Sequence, residues 1–207
     1  MPRTPGRPLA IAGALGSVAL LPLAVEVGLL LRVAAANLVE WRVRRGEDGR
    51  VCLFPDAEYY WKLAQTIRDG EVFQIVEWGD IPHFALRTPG YPAFLAGCRL
   101  LLAERPLGAR LVQAVLGAAC IWLVFRLTRA ALAGPDADRR ATTAAALVSI
   151  HPYLAIMSAF LLSEALFVPL LLVFLWATAV LWGREGVRAT VPPALAAGVA
   201  AGAAVLT

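Results

Sequence analysis

The sequence is poor in charge. Asp, Glu, Lys and Arg make up 16% of its 207 residues, against about 25% in soluble domains. With 59% hydrophobic residues and a mean hydropathy of +0.68, that shortage excludes an ordinary soluble domain and makes this an integral membrane protein. Histidine and cysteine are scarce as well. His83 and His151 lie far apart, and the odd set Cys52, Cys98 and Cys120 contains no CxxC. The sequence therefore offers neither a zinc cluster built from protein ligands alone nor a disulfide framework. The net charge of +4 comes from arginines placed mostly in polar gaps between apolar runs. That is membrane-flanking charge, not a nucleic-acid surface. There is no internal repeat and no low-complexity tract.

What is present is a series of apolar runs. Leu9 to Leu31 gives 23 largely apolar residues carrying one Glu26, enough to span about 30 Å of hydrocarbon. A signal peptide has a shorter apolar core, about 7–15 residues, so this run reads as an uncleaved anchor, although "VAAAN" at 33–37 offers small residues for cleavage. A polar stretch of some 55 residues, Arg32 to Arg87, follows; further runs fall at roughly 90–103, 110–133, 141–158, 162–182 and 191–207. The expected fold is all-α: a polytopic transmembrane helical bundle with an amphipathic interfacial helix in the first long loop. The organisation is a first membrane segment (1–31), a loop (32–87) and further membrane helices (88–207). Two runs are irregular. Residues 90–103 are short for a crossing, and 141–158 contains His151-Pro152, which breaks the helical ladder. Irregular backbone at membrane depth survives only where protein or a water-filled cavity covers it. Pro192 and Pro193 suit the first turn of the last helix. About 14 apolar residues follow them before Thr207, short of the roughly 20 a crossing needs, so the expectation is an N-terminal portion of a longer protein.

The stretch "PDAEYYWKLAQTIRDG", 55–70, departs from this background. Tyr60, Leu63, Ala64 and Ile67 fall on one helical face, Glu58 and Lys62 are spaced to pair, and Gly70 is a C-terminal stop. Tyr59, Tyr60 and Trp61 are residue types found at headgroup depth, which gives a helix lying on the membrane. Asp56 reads either as an N-cap or as a well-held general base, and the two roles are compatible. Arg87, ahead of the bent "TPGYP", reads as a snorkelling anchor or as a phosphate clamp. Glu164 follows Ser163 at the start of an apolar run. It is either part of a cap or, as an ionisable residue in a membrane segment, a functional candidate. Glu26 and Arg32 lie near a segment boundary.

The order of "DAEYYWKLAQTIRDG", "RTPGYPAFLAG", "HPYLAIMSAFLLSEALF" and "GVAAGAAVLT" resembles the GT-C superfamily of membrane glycosyltransferases. The similarity is to the family-39-like or dolichyl-phosphate-mannose–protein mannosyltransferase-like proteins, relatives of the aminoarabinose transferase. The resemblance implies transfer of a sugar from a polyprenyl-phosphate donor to an acceptor, with inversion at the anomeric carbon. It implies Asp56 as the catalytic acid residue of the first extracytoplasmic loop and Arg87 facing the donor phosphate. Glu164 and, by a less direct match, Glu58 are the remaining substrate-binding candidates. No cofactor is certain, and a divalent cation is possible. The expected partners are the polyprenyl-phosphate sugar and membrane lipids, with no nucleic acid, in a multi-pass protein of the cell membrane. Family members have about a dozen membrane helices and a closing "LTRP" of which only Leu206-Thr207 matches here.

Two tensions accompany this reading. The 32–87 loop holds eight Lys/Arg and the N-terminal tail two, opposite to the positive-inside rule for an extracytoplasmic loop. Three apolar runs also separate Asp56 from Glu164. If all three cross fully, the two acids lie on opposite sides of the membrane. A transporter or lipid-binding module, and a truncated inactive product, stand as the other readings.

Overall fold

The structure is a computed structural model that describes residues 7–46, 50–77, 81–84, 86–102, 104–132, 134–182 and 187–207; side chains are described from Leu20 onward, except at 77 and 187–190. The elements are α1 (Arg7–Arg44), α2 (Pro55–Asp69), β1 (Ile75–Glu77), β2 (Ile81–His83), α3 (Gly90–Leu101), α4 (Pro106–Ala131), α5 (Ala137–Ile150), α6 (Pro152–Met157), α7 (Glu164–Trp182) and α8 (Val187–Val205). Among the described residues, three stretches are long and apolar enough to cross a membrane: Leu20–Arg44, Pro106–Ala131 and Glu164–Trp182. The expected all-α membrane bundle is what forms, with one small antiparallel hairpin pairing Ile75 with His83 and Glu77 with Ile81.

The first helix does not stop where its apolar run stops. It continues through Arg32 to Arg44, because residues 32–44 contain no glycine or proline and the buried Arg32 and Glu40 find partners inside the protein. The small residues read as a possible cleavage site lie within it, and Ala35 and Ala36 pack on Ala159. Pro192 and Pro193 sit inside α8, whose first turn begins at Val187. They do not start the helix.

Helix directions follow from contacts. Glu40 pairs with Arg110, while Ile121 and Phe125 pack against Leu21 and Val25, so α1 and α4 are antiparallel. Arg32 reaches the carbonyls of Val148 and Ser149, and Val43 packs with Ile156 and Phe160. The α5–α6 pair therefore runs parallel to α1. Next, α7 packs on α4, and α8 on α7. The end of α8 returns to the start of α3: Gly90 N–H donates to the Leu206 carbonyl (2.8 Å) and the Thr88 hydroxyl to that of Thr207 (2.7 Å). The C-terminal end of α1, α2, the start of α3 and the α6–α7 junction thus share one end of the bundle.

At that end α2 packs on α3. Ala57, Tyr60, Trp61, Leu63 and Ala64 are buried, and the core they enter includes Tyr91, Leu95, Ala109 and Leu161. Fully burying a leucine such as Leu63 or Leu95 contributes about 1.5–3 kcal/mol. The amphipathic face was legible, but Tyr60 and Trp61 are core residues and not headgroup anchors. The rings of Tyr60 and Tyr91 meet edge to face at 5.0 Å, worth about 0.5–1.5 kcal/mol beyond burial. Gly70 closes α2 in the left-handed region, φ 71°, where a Cβ is strained.

A polar network fastens the far end of α2 to α3. Buried Arg99 donates to Glu104 (2.6 Å) and to the Trp61 carbonyl (3.1 Å), and Arg68 bonds Asp69 (2.7 Å) and Glu104. The hydrogen bond from Arg99, then its charge and that of Arg68, hold the Glu104 carboxyl below its ordinary value of 4.5. A carboxylate depressed in this way contributes its stabilisation above the ordinary value and loses it as pH falls through the folded one. Acidification from pH 6 toward pH 3 should therefore loosen α2 from α3. Trp61 fluorescence should report the change, and Glu104→Gln should flatten that profile.

Candidate active site

Asp56 sits in the first turn of α2, but it is not the cap. Phe54 is the N-cap residue, with extended φ/ψ of −114° and 143° and no side-chain cap bond, and Pro55 takes the first turn. Proline suits that position because its missing N–H would be unpaired there anyway. The Asp56 carboxylate is thereby left for another partner: Arg87 Nη2 donates to Asp56 Oδ1 at 2.6 Å. The Asp56 side chain is 56% exposed and that of Arg87 25%, so an incoming group can reach the pair. The Arg87 guanidinium also lies 5.5 Å from the centroid of the Tyr60 ring, one turn along α2 from Asp56.

Glu164 joins the same end. The Tyr60 hydroxyl lies 3.5 Å from Ser163 Oγ, which in turn lies 3.4 Å from Glu164 Oε2. Both contacts are at the long limit of hydrogen bonding. Ser163 precedes α7, its carbonyl accepting from Leu166 and Phe167, as an N-cap residue does. The strain between three apolar runs and one shared end is resolved by chain geometry. Only α4 among the intervening helices is a single long span; α3 is 12 residues, and α5 and α6 together make the return. The acids at 56 and 164 thus lie toward one end of the bundle, with Tyr60 and Ser163 between them.

Buried polar residues that the sequence reading missed hold this arrangement. Pro152 has no N–H for the Val148 carbonyl, so α5 stops at Ile150 and His151 turns to φ −68°, ψ 114°. Arg32, 2% exposed, donates to Val148 and Ser149 (both 3.4 Å) and to Gly28 (2.9 Å). A cation there also complements the helix C-terminus. The irregular segment after α6 is fixed from α4. Gln113 donates to the carbonyls of Ser158 (3.2 Å) and Phe160 (3.1 Å) and accepts from the Tyr91 hydroxyl (2.5 Å), while Arg110 Nε donates to the Ala159 carbonyl (3.2 Å). These bonds satisfy backbone groups that the break would otherwise leave bare. The sequence signal was Arg110 and Gln113, polar residues one helical turn apart in an apolar run.

Glu58 stands apart from this cluster. Its Oε1 accepts from the backbone N–H of Val51 (2.9 Å) and of Cys52 (3.4 Å), and among the described residues it forms no ion pair with Lys62. Glu26 is exposed on α1 and Arg32 serves the α5 terminus, so neither belongs to the site. Among the described residues no group of three or more His, Cys, Asp or Glu gathers to hold a metal ion. The donor set around Asp56, already engaged by Arg87, does not fit a protein-held cation.

Residues 86–207 match the family described as dolichyl-phosphate-mannose-protein mannosyltransferase. The match takes in Arg87 and Glu164; Asp56 lies ahead of it. No curated protein and no solved structure matches the chain.

Proposed function

From the premise that the chain belongs to the dolichyl-phosphate-mannose-protein mannosyltransferase family, membrane glycosyltransferases of the GT-C type, we propose that its α2 end binds a polyprenyl-phosphate sugar and transfers the sugar to an acceptor hydroxyl. This end would face the extracytoplasmic side of the cell membrane. Asp56 is the base, Arg87 the donor-phosphate ligand and Glu164 a polar substrate contact next to Ser163. Glu58 shapes the neighbouring wall.

The observation that carries this reading is the Asp56–Arg87 pair at 2.6 Å, held at the end of the bundle where Tyr60 and Ser163 also lie. In the reaction the acceptor oxygen forms a bond to the anomeric carbon while the bond from that carbon to the phosphate oxygen breaks. The phosphate leaves with the electron pair, and the acceptor proton passes to Asp56. Each role fits its group. An accessible carboxylate accepts a proton, and a planar guanidinium matches phosphate oxygens in a bidentate fork. The donor phosphate competes for Arg87, so its arrival frees the Asp56 carboxylate for the acceptor. The lipid tail stays in the bilayer, and a helix at the end of the bundle is at the right height for its headgroup.

Transfer from radiolabelled polyprenyl-phosphate sugars in membranes carrying the protein tests the assignment. Asp56→Asn should slow transfer about 10²–10⁴-fold, the usual contribution of a positioned base, with donor binding retained. Arg87→Lys should instead weaken donor binding, because charge remains but the fork is lost. Full-rate transfer by a folded Asp56→Asn protein would remove Asp56 from the chemistry.

A further inference from the structure

At the end of the bundle away from Asp56, Arg126 of α4 stands between two indoles. Its guanidinium carbon lies 5.3 Å from the ring centroid of Trp122, one turn back on α4, and 5.4 Å from that of Trp176 on α7. We infer that this clamp binds the phosphate of an anionic phospholipid in the leaflet opposite the candidate active site. Arg126 is exposed, and among the described residues its side chain has no carboxylate partner. The acids of the α4–α5 connection are taken: Asp138 by Arg129 at 2.6 Å and Asp136 by Arg139 at 3.4 Å. Indole faces attract a cation but leave the N–H donors along its edge for an oxyanion. The two rings thus fix the guanidinium in place and do not neutralise it.

Position along the bundle sets the source of the anion. The start of α4 is at the site end, where Arg110 meets Glu40. Arg126 follows Pro106 by 20 residues, about 30 Å of helix, which is the thickness of the hydrocarbon core. α7 also starts at the site end, and it closes on Trp182, which is 91% exposed. Arg126 therefore stands at the far headgroup boundary, in an aromatic belt with Trp122, Trp176 and Trp182. At that depth a phosphate belongs to a lipid, and basic pockets between membrane helices hold anionic headgroups. A choline or ethanolamine headgroup would need a carboxylate or an open aromatic face for its ammonium. Here Asp136 and Asp138 are engaged, and both indoles are occupied by Arg126.

Native mass spectrometry of the full chain in detergent, titrated with phosphatidylglycerol and with phosphatidylcholine, tests the site. The wild type should hold one phosphatidylglycerol about fivefold more tightly than phosphatidylcholine, the usual worth of one arginine near a charged headgroup layer. Arg126→Gln should lose that preference. Arg126→Lys should keep part of it, since the charge stays while the planar fork and its stacking go. Trp122→Leu, at a side chain 43% exposed, should weaken binding with the charge intact. Arg140→Gln, which removes another exposed arginine at the same end, should leave the preference in place. Equal affinity for the two lipids in the wild type, or a preference that survives Arg126→Gln, overturns the site. An equal loss in Arg140→Gln also overturns it, because diffuse surface charge then explains the binding. Competition by glycerol 3-phosphate at matched ionic strength overturns the lipid as the source of the phosphate. None of these variants touches Asp56 or Arg87, so the proposed function stands or falls separately.

Discussion

Arg110→Met should destabilise the protein by about 3–5 kcal/mol, the usual cost of removing one partner from a buried ion pair. Arg110 is 1% exposed and Glu40 is 8% exposed, and their ion pair joins α4 to α1. Without the guanidinium, the ion-pair partner left to Glu40 among the described residues is Arg44, at 2.9 Å and itself half exposed. The stranded charge, more than the lost attraction, sets the penalty. The double variant Arg110→Met with Glu40→Leu should therefore recover most of the loss, since replacing both ions by apolar groups is often neutral or better. It should not recover all of it, because Arg110 Nε also holds the Ala159 carbonyl at 3.2 Å, a buried acceptor worth about 1–3 kcal/mol if left bare. Denaturant midpoints in detergent for the two single variants and the double give the coupling directly. If the double variant is as unstable as Arg110→Met alone, the ion pair is not what fastens α1 to α4. The same cycle run on transfer activity reports on the site, since Ala159 lies in the irregular segment between Met157 and Glu164.

Much of this architecture was readable because it rests on local rules. The apolar face of α2, its stop at Gly70, the shortness of the run after Gly90 and the break at His151-Pro152 follow from spacing, from φ preference and from proline's missing donor. What was not readable depended on distant partners. Arg32 looked like the start of a loop because nothing in its neighbourhood says that Pro152, 120 residues later, leaves carbonyls for it to hold. The pairing of Glu40 with Arg110, 70 residues apart, was out of reach for the same reason. Tyr60 and Trp61 have amphipathic rings that serve equally at a headgroup and in a core, and only the packing of α3 decides between them. Asp56 was misplaced by two positions in the cap because Pro55 is itself a good first-turn residue. The juxtaposition of Asp56 and Glu164 could be stated only as a condition on how many runs cross, and that number is a property of the fold.

The break itself supplies the second large effect. Arg32→Leu removes the donor from the Val148 and Ser149 carbonyls; the buried Ser149 acceptor left bare costs about 1–3 kcal/mol, and the part-buried Val148 acceptor less. Arg32→Lys should be nearly as damaging, because one ammonium cannot reproduce a fork that spans two carbonyls. Gly117→Ala should act in the same direction: a Cβ there would lie 2.7 Å from Arg32 Nε and 2.8 Å from its Cδ, which pushes the guanidinium off its acceptors. Pro152→Ala gives Val148 a backbone donor again, so in the Arg32→Leu background it should recover part of the lost stability. On its own it should change stability little, since Pro152 occupies the first turn of α6, where proline is tolerated. Its cost falls on geometry. With α5 free to run on into α6, the bend at His151 relaxes, and the segment that places Ser163 beside Tyr60 shifts with it. Pro152→Ala should thus be a stable protein with slowed transfer, read as an unchanged denaturant midpoint beside a reduced rate. Transfer at the wild-type rate would mean that Gln113 and Arg110 hold the 158–160 carbonyls in place without help from the break. The position of Glu164 would then be fixed from α4 alone.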